Sequence, residues 1–236
     1  MGCPADRRLS GLHAAAGARG RRIRRIARRR GIGAVVRRAR RRAAAPPRCP
    51  GGPSHRRQWA GVRVLDDPGI IRREAGVRID LGGIGKGLAA DLLAERLAGY
   101  ERFIIDCGGD VRVGGSRPEY SPVEVDVQHP LSGEVTDSFP MVDGAAATSG
   151  LDARVWRRED GSFAHHLIDP ATSEPAWTGL IAASARAPTG VEAEALAKAA
   201  LLSGPDGAAR FLVPHGGLIV YDNGEVQRIH ASSAKP

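Results

Sequence analysis

The first 57 residues hold 18 arginines, no lysine and a single acid, Asp6, a formal charge of +17. A stretch so charged and so poor in apolar side chains cannot bury enough surface to offset the entropy of ordering it. Residues 1–58 are therefore expected to be a disordered basic tail, and the folded domain to span residues 59–236. With +9 on the whole 236-residue chain, the part beyond the tail carries −8. The domain is mildly acidic, which removes the simplest case for nucleic-acid binding, and no nucleic-acid partner is expected for it. The tail itself reads either as an arm for anionic surfaces or as the product of a wrong start or shifted frame in a GC-rich gene. Thirty-two arginines against three lysines favour the second.

No apolar run follows the arginines as it would in a secretory leader, and no stretch is long enough to cross a membrane. Cys3, Cys49 and Cys107 stand too far apart for a disulfide framework or a metal knuckle. The expectation is a cytoplasmic, reduced protein.

Within the domain, alternation and turn residues predict strands at 62–65, 77–81, 102–107 and 111–113, then 123–127, 135–142, 154–158 and 164–168. Helices are predicted at 88–98, 191–202 and 206–212. In the first, Ile84, Leu88 and Leu92, with Ala89, Leu93 and Leu97, recur every four residues. A closing hairpin, 218–221 with 226–229, turns on Asp222-Asn223-Gly224. The fold class is α+β, with helices packed on a mixed or antiparallel sheet.

Between the strand expected at 77–81 and the helix expected at 88–98 lies Gly82-Gly83-Ile84-Gly85-Lys86-Gly87. Glycines let backbone N–H groups approach phosphate oxygens, a helix N-terminus adds partial positive charge, and a lysine adds a full one. A nucleotide or phosphorylated cofactor is the expected ligand. A P-loop is excluded because Lys86 is followed by Gly87 rather than by Ser or Thr. A dinucleotide fingerprint is met by Gly85-Lys86-Gly87-Leu88-Ala89-Ala90, with Asp106 about 20 residues on. Against it stand the lysine inside the motif, the single such unit and the antiparallel pattern that follows, so a nicotinamide-binding oxidoreductase is the weaker alternative.

Asp80-Leu81-Gly82-Gly83-Ile84-Gly85-Lys86-Gly87-Leu88-Ala89-Ala90-Asp91 resembles the motif of the ApbE family, flavin transferases that move FMN from FAD to a protein threonine. The resemblance continues in order through Cys107-Gly108-Gly109-Asp110-Val111, Ala147-Thr148-Ser149-Gly150 and His165-His166-Leu167-Ile168-Asp169-Pro170, and ends at Ala193-Glu194-Ala195-Leu196-Ala197-Lys198-Ala199. It covers roughly residues 59–230. The family's N-terminal portion would then be missing from the domain or scrambled in the tail.

The resemblance implies an ApbE-like, T-fold-like domain that takes FAD as substrate and, as partner, an acceptor flavoprotein carrying a target threonine. Asp80, Gly82, Gly83, Gly85, Gly87, Gly109, Asp110, Thr148 and Ser149 would then line the cofactor. Lys86 would neutralise phosphate, His166 would take the hydroxyl proton, and Asp169 would orient that imidazole. His165 is the lesser candidate, since adjacent strand residues face opposite ways.

The resemblance further implies magnesium, held by Gly85 and by two side chains on the alanine-rich helix, where the family has aspartate and threonine. This chain has Glu194 and Lys198 instead. Glutamate ligates magnesium through oxygen, whereas an ammonium has no lone pair to offer. Magnesium is therefore expected to be weakened or replaced. A non-catalytic FAD-binding relative is the second alternative. The family's Asp-Pro-x-Thr-Gly appears here as Asp169-Pro170-Ala171-Thr172-Ser173, which puts serine where a turn normally uses glycine.

Overall fold

The computed structural model describes residues 58–65, 69–77, 79–152 and 154–232. The expected disorder of the tail lies outside them, apart from a 3-10 turn at Gln58–Gly61. β1 (Val62–Val64) and β2 (Ile71–Arg73) form a small antiparallel pair. The next strands are β3 (Phe103–Cys107), β4 (Asp110–Gly114), β5 (Val123–Gln128), β6 (Val135–Met141), β7 (Gly144–Gly150), β8 (Val155–Arg157) and β9 (Phe163–His165). β10 (Leu180–Ala187), β11 (Gly217–Tyr221) and β12 (Val226–Ile229) complete the set. The three α-helices among the described residues are α1 (Gly85–Leu97), α2 (Gly190–Leu202) and α3 (Gly204–Leu212).

Six strands make the main sheet in the order β12-β11-β10-β7-β4-β3, antiparallel at every step. That pairing is incompatible with the parallel sheet of a dinucleotide-binding unit. β5–β6 and β8–β9 are separate hairpins.

Side-chain alternation gives the sheet two faces with different tasks. Ala145, Ala147 and Ala187 form a cluster with Ala193 of α2 on the helix face. Methyl-sized side chains let α2 lie close on the sheet, and Ala193, Ala197 and Ala200 are fully buried beneath it. On the opposite face Ala146 and Val111 meet Val125 and Phe139 of the β5–β6 hairpin. Leu201, Leu212, Leu218 and Ile219, each at most 1 % exposed, contribute roughly 1.5–3 kcal/mol apiece.

Three expectations need correction. The described residues of the stretch 77–81, all but residue 78, lie in no strand; Asp80 instead caps a 3-10 turn at Leu81–Gly83, accepting the Gly82 N–H at 2.8 Å. A short polar side chain facing its own backbone two residues on competes with strand pairing. α1 starts at Gly85 rather than residue 88, so half of the supposed loop is the helix's first turn. That helix turns Gly87, Ala90 and Ala94 inward, while Leu88, Leu92 and Leu93 are 39–52 % exposed. Its packing partner α2 approaches too closely for leucine. A Cβ on Gly87 would stand 2.3 Å from the Gly190 carbonyl oxygen.

The central strands β7 and β10 were not legible as strands. Gly-Ala-Ala-Ala-Thr-Ser-Gly and Leu-Ile-Ala-Ala-Ser-Ala-Arg-Ala are dominated by residues of weak β propensity. Thr148 and Ser149, expected from the resemblance to line the cofactor, lie inside β7.

Candidate functional site

The site forms where α1, α2 and the β3–β4 turn meet. Gly108 and Gly109 have φ of +68° and +98°, which a two-residue hairpin turn between paired Cys107 and Asp110 requires. The turn places Asp110 on the helix face, where it is 3 % exposed, and Lys86 from the first turn of α1 reaches it, Nζ to Oδ2 2.6 Å. Burial pushes the Asp110 carboxyl above the ordinary carboxylate range, while the Lys86 ammonium pulls it back. Burial also raises the Cys107 thiol, with the Asp106 and Asp110 charges adding to it.

Glu194 of α2 is 1 % exposed. Its Oε2 accepts the Gly87 N–H at 2.8 Å, and its Oε1 accepts from the Lys198 ammonium at 2.8 Å. Glu194 and Lys198 also lie close enough to Asp110 to bias its ionisation. Residues 86, 110, 194 and 198, drawn from three separate motifs, thus make one cluster of two carboxylates and two ammoniums.

α1 and α2 cap one another. Asp91 of α1 accepts the Gly190 and Val191 N–H groups at 2.7 and 2.9 Å, just as Glu194 of α2 accepts from Gly87. Each carboxylate sits at the partial positive end of the other helix, where negative charge is favoured. Sequence reasoning gave Asp91 no role. The signal available was its place four residues after Gly87, on the same helix face.

The histidines divide as alternation requires. His165 is fully buried, edge-to-face on Trp177 with ring centroids 4.4 Å apart, and burial lowers its pKa to about 4. It is a core imidazole. His166 is half-buried with an unpartnered Nδ1, and its pKa is lowered by burial first, then by the Arg154 guanidinium and, more weakly, by Lys198. Lys198 thus links His166 electrostatically to the cluster. Asp169 does not orient it. Its Oδ1 accepts the Ala171 N–H at 2.8 Å, and its backbone closes the turn through Ser173 and Glu174. Ser173 holds a φ of +59° there, the conformation that glycine adopts freely.

The remaining expected cofactor residues lie partly at this junction and partly away from it. Asp80 and Gly82 satisfy each other in the 3-10 turn, and Gly109 N–H donates to Asp106 Oδ1 at 2.6 Å. Gly83 has open space around it, and Gly85 begins α1. Ile84 at the helix N-cap supplies no side-chain acceptor. Thr148 and Ser149 face opposite sides of β7. Ser149 lies on the helix face, whereas Thr148 bonds Ser184 (Oγ1 to Oγ 2.8 Å) and lines a cleft of about 20 Å3 with Asp106, Gly109 and Asp126. Both carboxylate oxygens of Asp126 are buried there without a hydrogen-bond partner, a residue the sequence reading passed over as strand interior.

A magnesium ion does not fit the positions the resemblance implied. Both oxygens of Glu194 are engaged, and an ammonium stands where a second ligand would be. Among the described residues no group of three His, Cys, Asp or Glu side chains is placed to hold a metal ion. Nor is any helix among them long and apolar enough to cross a membrane.

The profile of the ApbE family matches residues 32–221. The FAD:protein FMN transferase of Escherichia coli K12 is 31 % identical over 146 residues, covering 61 % of this chain and 41 % of that protein. The FAD:protein FMN transferase of Haemophilus influenzae is 28 % identical over 197 residues, covering 77 % of this chain and 57 % of that protein. The chain thus spans about half the length of the curated relatives it matches. Among solved structures, the ApbE protein of Thermotoga maritima superposes with a TM-score of 0.63 at 30 % identity, covering 75 % of this chain and 59 % of that one. The flavin transferase ApbE of Vibrio cholerae gives 0.58 at 23 % identity, covering 75 % and 58 %.

Proposed function

The chain belongs to the ApbE family, and on that footing we propose that it transfers FMN from FAD to a threonine hydroxyl of an acceptor flavoprotein, releasing AMP. The observation that carries the reading is the convergence of Lys86, Asp110, Glu194 and Lys198, scattered over more than a hundred residues of sequence, into one charge cluster with buried carboxylates and partly exposed ammoniums. Two ammoniums beside the first turn of α1, whose N-cap residue Ile84 offers no side-chain acceptor, suit a diphosphate.

In the proposed reaction the acceptor hydroxyl oxygen bonds to the FMN phosphorus. The bond from that phosphorus to the bridging oxygen breaks, and AMP leaves with the oxygen. His166, with an unpartnered Nδ1 and a pKa depressed toward the neutral form, receives the hydroxyl proton. Lys86 and Lys198 steady the charge that builds on the phosphate oxygens.

The test incubates the full chain with FAD and a threonine-bearing acceptor domain. AMP release together with a covalently yellow acceptor is expected, and both should be lost in His166→Ala with FAD binding retained. Tight FAD binding without AMP release would instead support a non-catalytic flavin-binding relative. Failure to bind FAD refutes both readings.

A further inference from the structure

We infer that this chain neutralises its ligand's diphosphate with two fixed ammoniums in place of a divalent cation, an inference that rests on the proposed flavin-nucleotide site. Charge arithmetic supports it. Asp110 and Glu194 supply two negative charges and Lys86 and Lys198 two positive ones, so the cluster is already balanced without metal. A dication would have to expel Lys198 from Glu194 Oε1, then sit beside two like-charged ammoniums at the edge of a buried site. It would find no free oxygen on Glu194, since Oε2 holds the Gly87 N–H.

The ammoniums are equipped for the substitute role. Each has three N–H donors and spends one on its carboxylate. The Lys86 side chain is 45 % exposed and that of Lys198 19 %, so both ammoniums retain some access from solvent while their carboxylate partners are buried. The carboxylates fix the two Nζ atoms in place, which lowers the entropy lost when phosphate oxygens bind. Glutamate rather than aspartate at position 194 supplies the extra methylene that lets one side chain span the Gly87 amide and the lysine at 198.

Two titrations test this. The first follows Mn2+ alone by electron paramagnetic resonance on the wild-type chain and on Lys198→Thr, with circular dichroism confirming the fold. Wild type should bind Mn2+ at least about tenfold more weakly than the variant, a difference of about 1.4 kcal/mol. Equal affinity would overturn the inference. The second follows FAD by flavin fluorescence in EDTA and in excess Mg2+. Wild-type affinity should agree within about twofold between the two, and Lys198→Met, which keeps length but loses charge, should bind FAD about tenfold more weakly in both. Metal-dependent binding by wild type, or full-strength binding by Lys198→Met, would overturn it. If FAD binds under neither condition the proposed function fails, and the Mn2+ titration still decides the metal question. If Lys198→Thr does not fold, the wild-type comparison in EDTA and Mg2+ decides.

Discussion

Replacing Gly87 by alanine tests whether this glycine serves the ligand or the packing of two helices. The added Cβ would lie 2.3 Å from Gly190 O, 2.4 Å from Gly190 C and 2.7 Å from Val191 N. All three are backbone atoms, so no rotamer relieves the overlap and the helices must separate by about 1 Å to reach ordinary contact. Separation costs about 1–3 kcal/mol in overpacking and stretches the buried bond from Gly87 N–H to the Glu194 carboxylate, worth about 1.5–3 kcal/mol. The reciprocal cap from Asp91 to Gly190 and Val191 loosens with it. Alanine returns at most about 1 kcal/mol in helix propensity. The net loss should be about 2–4 kcal/mol, a large share of the stability of a domain this size. Urea unfolding monitored by circular dichroism measures it. Gly83→Ala is the control, because nothing lies within 4 Å of its Cβ position and its φ is not positive. It should change stability by less than about 0.5 kcal/mol. A Gly87→Ala protein as stable as wild type would refute the close-crossing argument.

Other perturbations follow from single geometries. Ser173→Gly should raise stability by about 0.5–1 kcal/mol, because relief of the +59° φ exceeds the extra freedom glycine gains when unfolded; a lower urea midpoint would contradict this. His165 binds its proton only near pH 4 when folded but near 6.5 when unfolded, so its contribution is fully present above about pH 6.5 and is lost as pH falls toward 4. The loss amounts to about 3 kcal/mol at most, and an imidazole resonance assigned to His165 and titrating near 6.5 by NMR would refute it. Asp126→Asn should raise stability by about 1–2 kcal/mol by removing a buried, unpartnered charge; a fall would show that its carboxylate has a partner in solution.

The sequence by itself singled out the charged residues that the fold brings into the cluster. Lys86, Asp110, Glu194 and Lys198 were all identifiable, because fixed-charge side chains within recurring short motifs keep their chemistry whatever the fold. Turn residues also spoke for themselves: Gly108-Gly109 and Asp222-Asn223-Gly224 mark hairpins since few other residues accept those backbone angles. Pairing and closeness of approach belonged to the tertiary structure. β7 and β10 carry alanine where strands usually carry branched side chains, and the reason, a helix lying directly on them, is a long-range fact. Likewise Gly87 looks like a phosphate-loop glycine until Gly190, about a hundred residues away, is brought against it. Asp169 stands three residues from His166 in the chain, yet its carboxylate serves its own turn, while Arg154 and, more weakly, Lys198 from a distant helix supply positive charge that bears on His166. Local chemistry is written in short stretches of chain, but which groups share a volume is settled only when the sheet and its two mutually capped helices close around them.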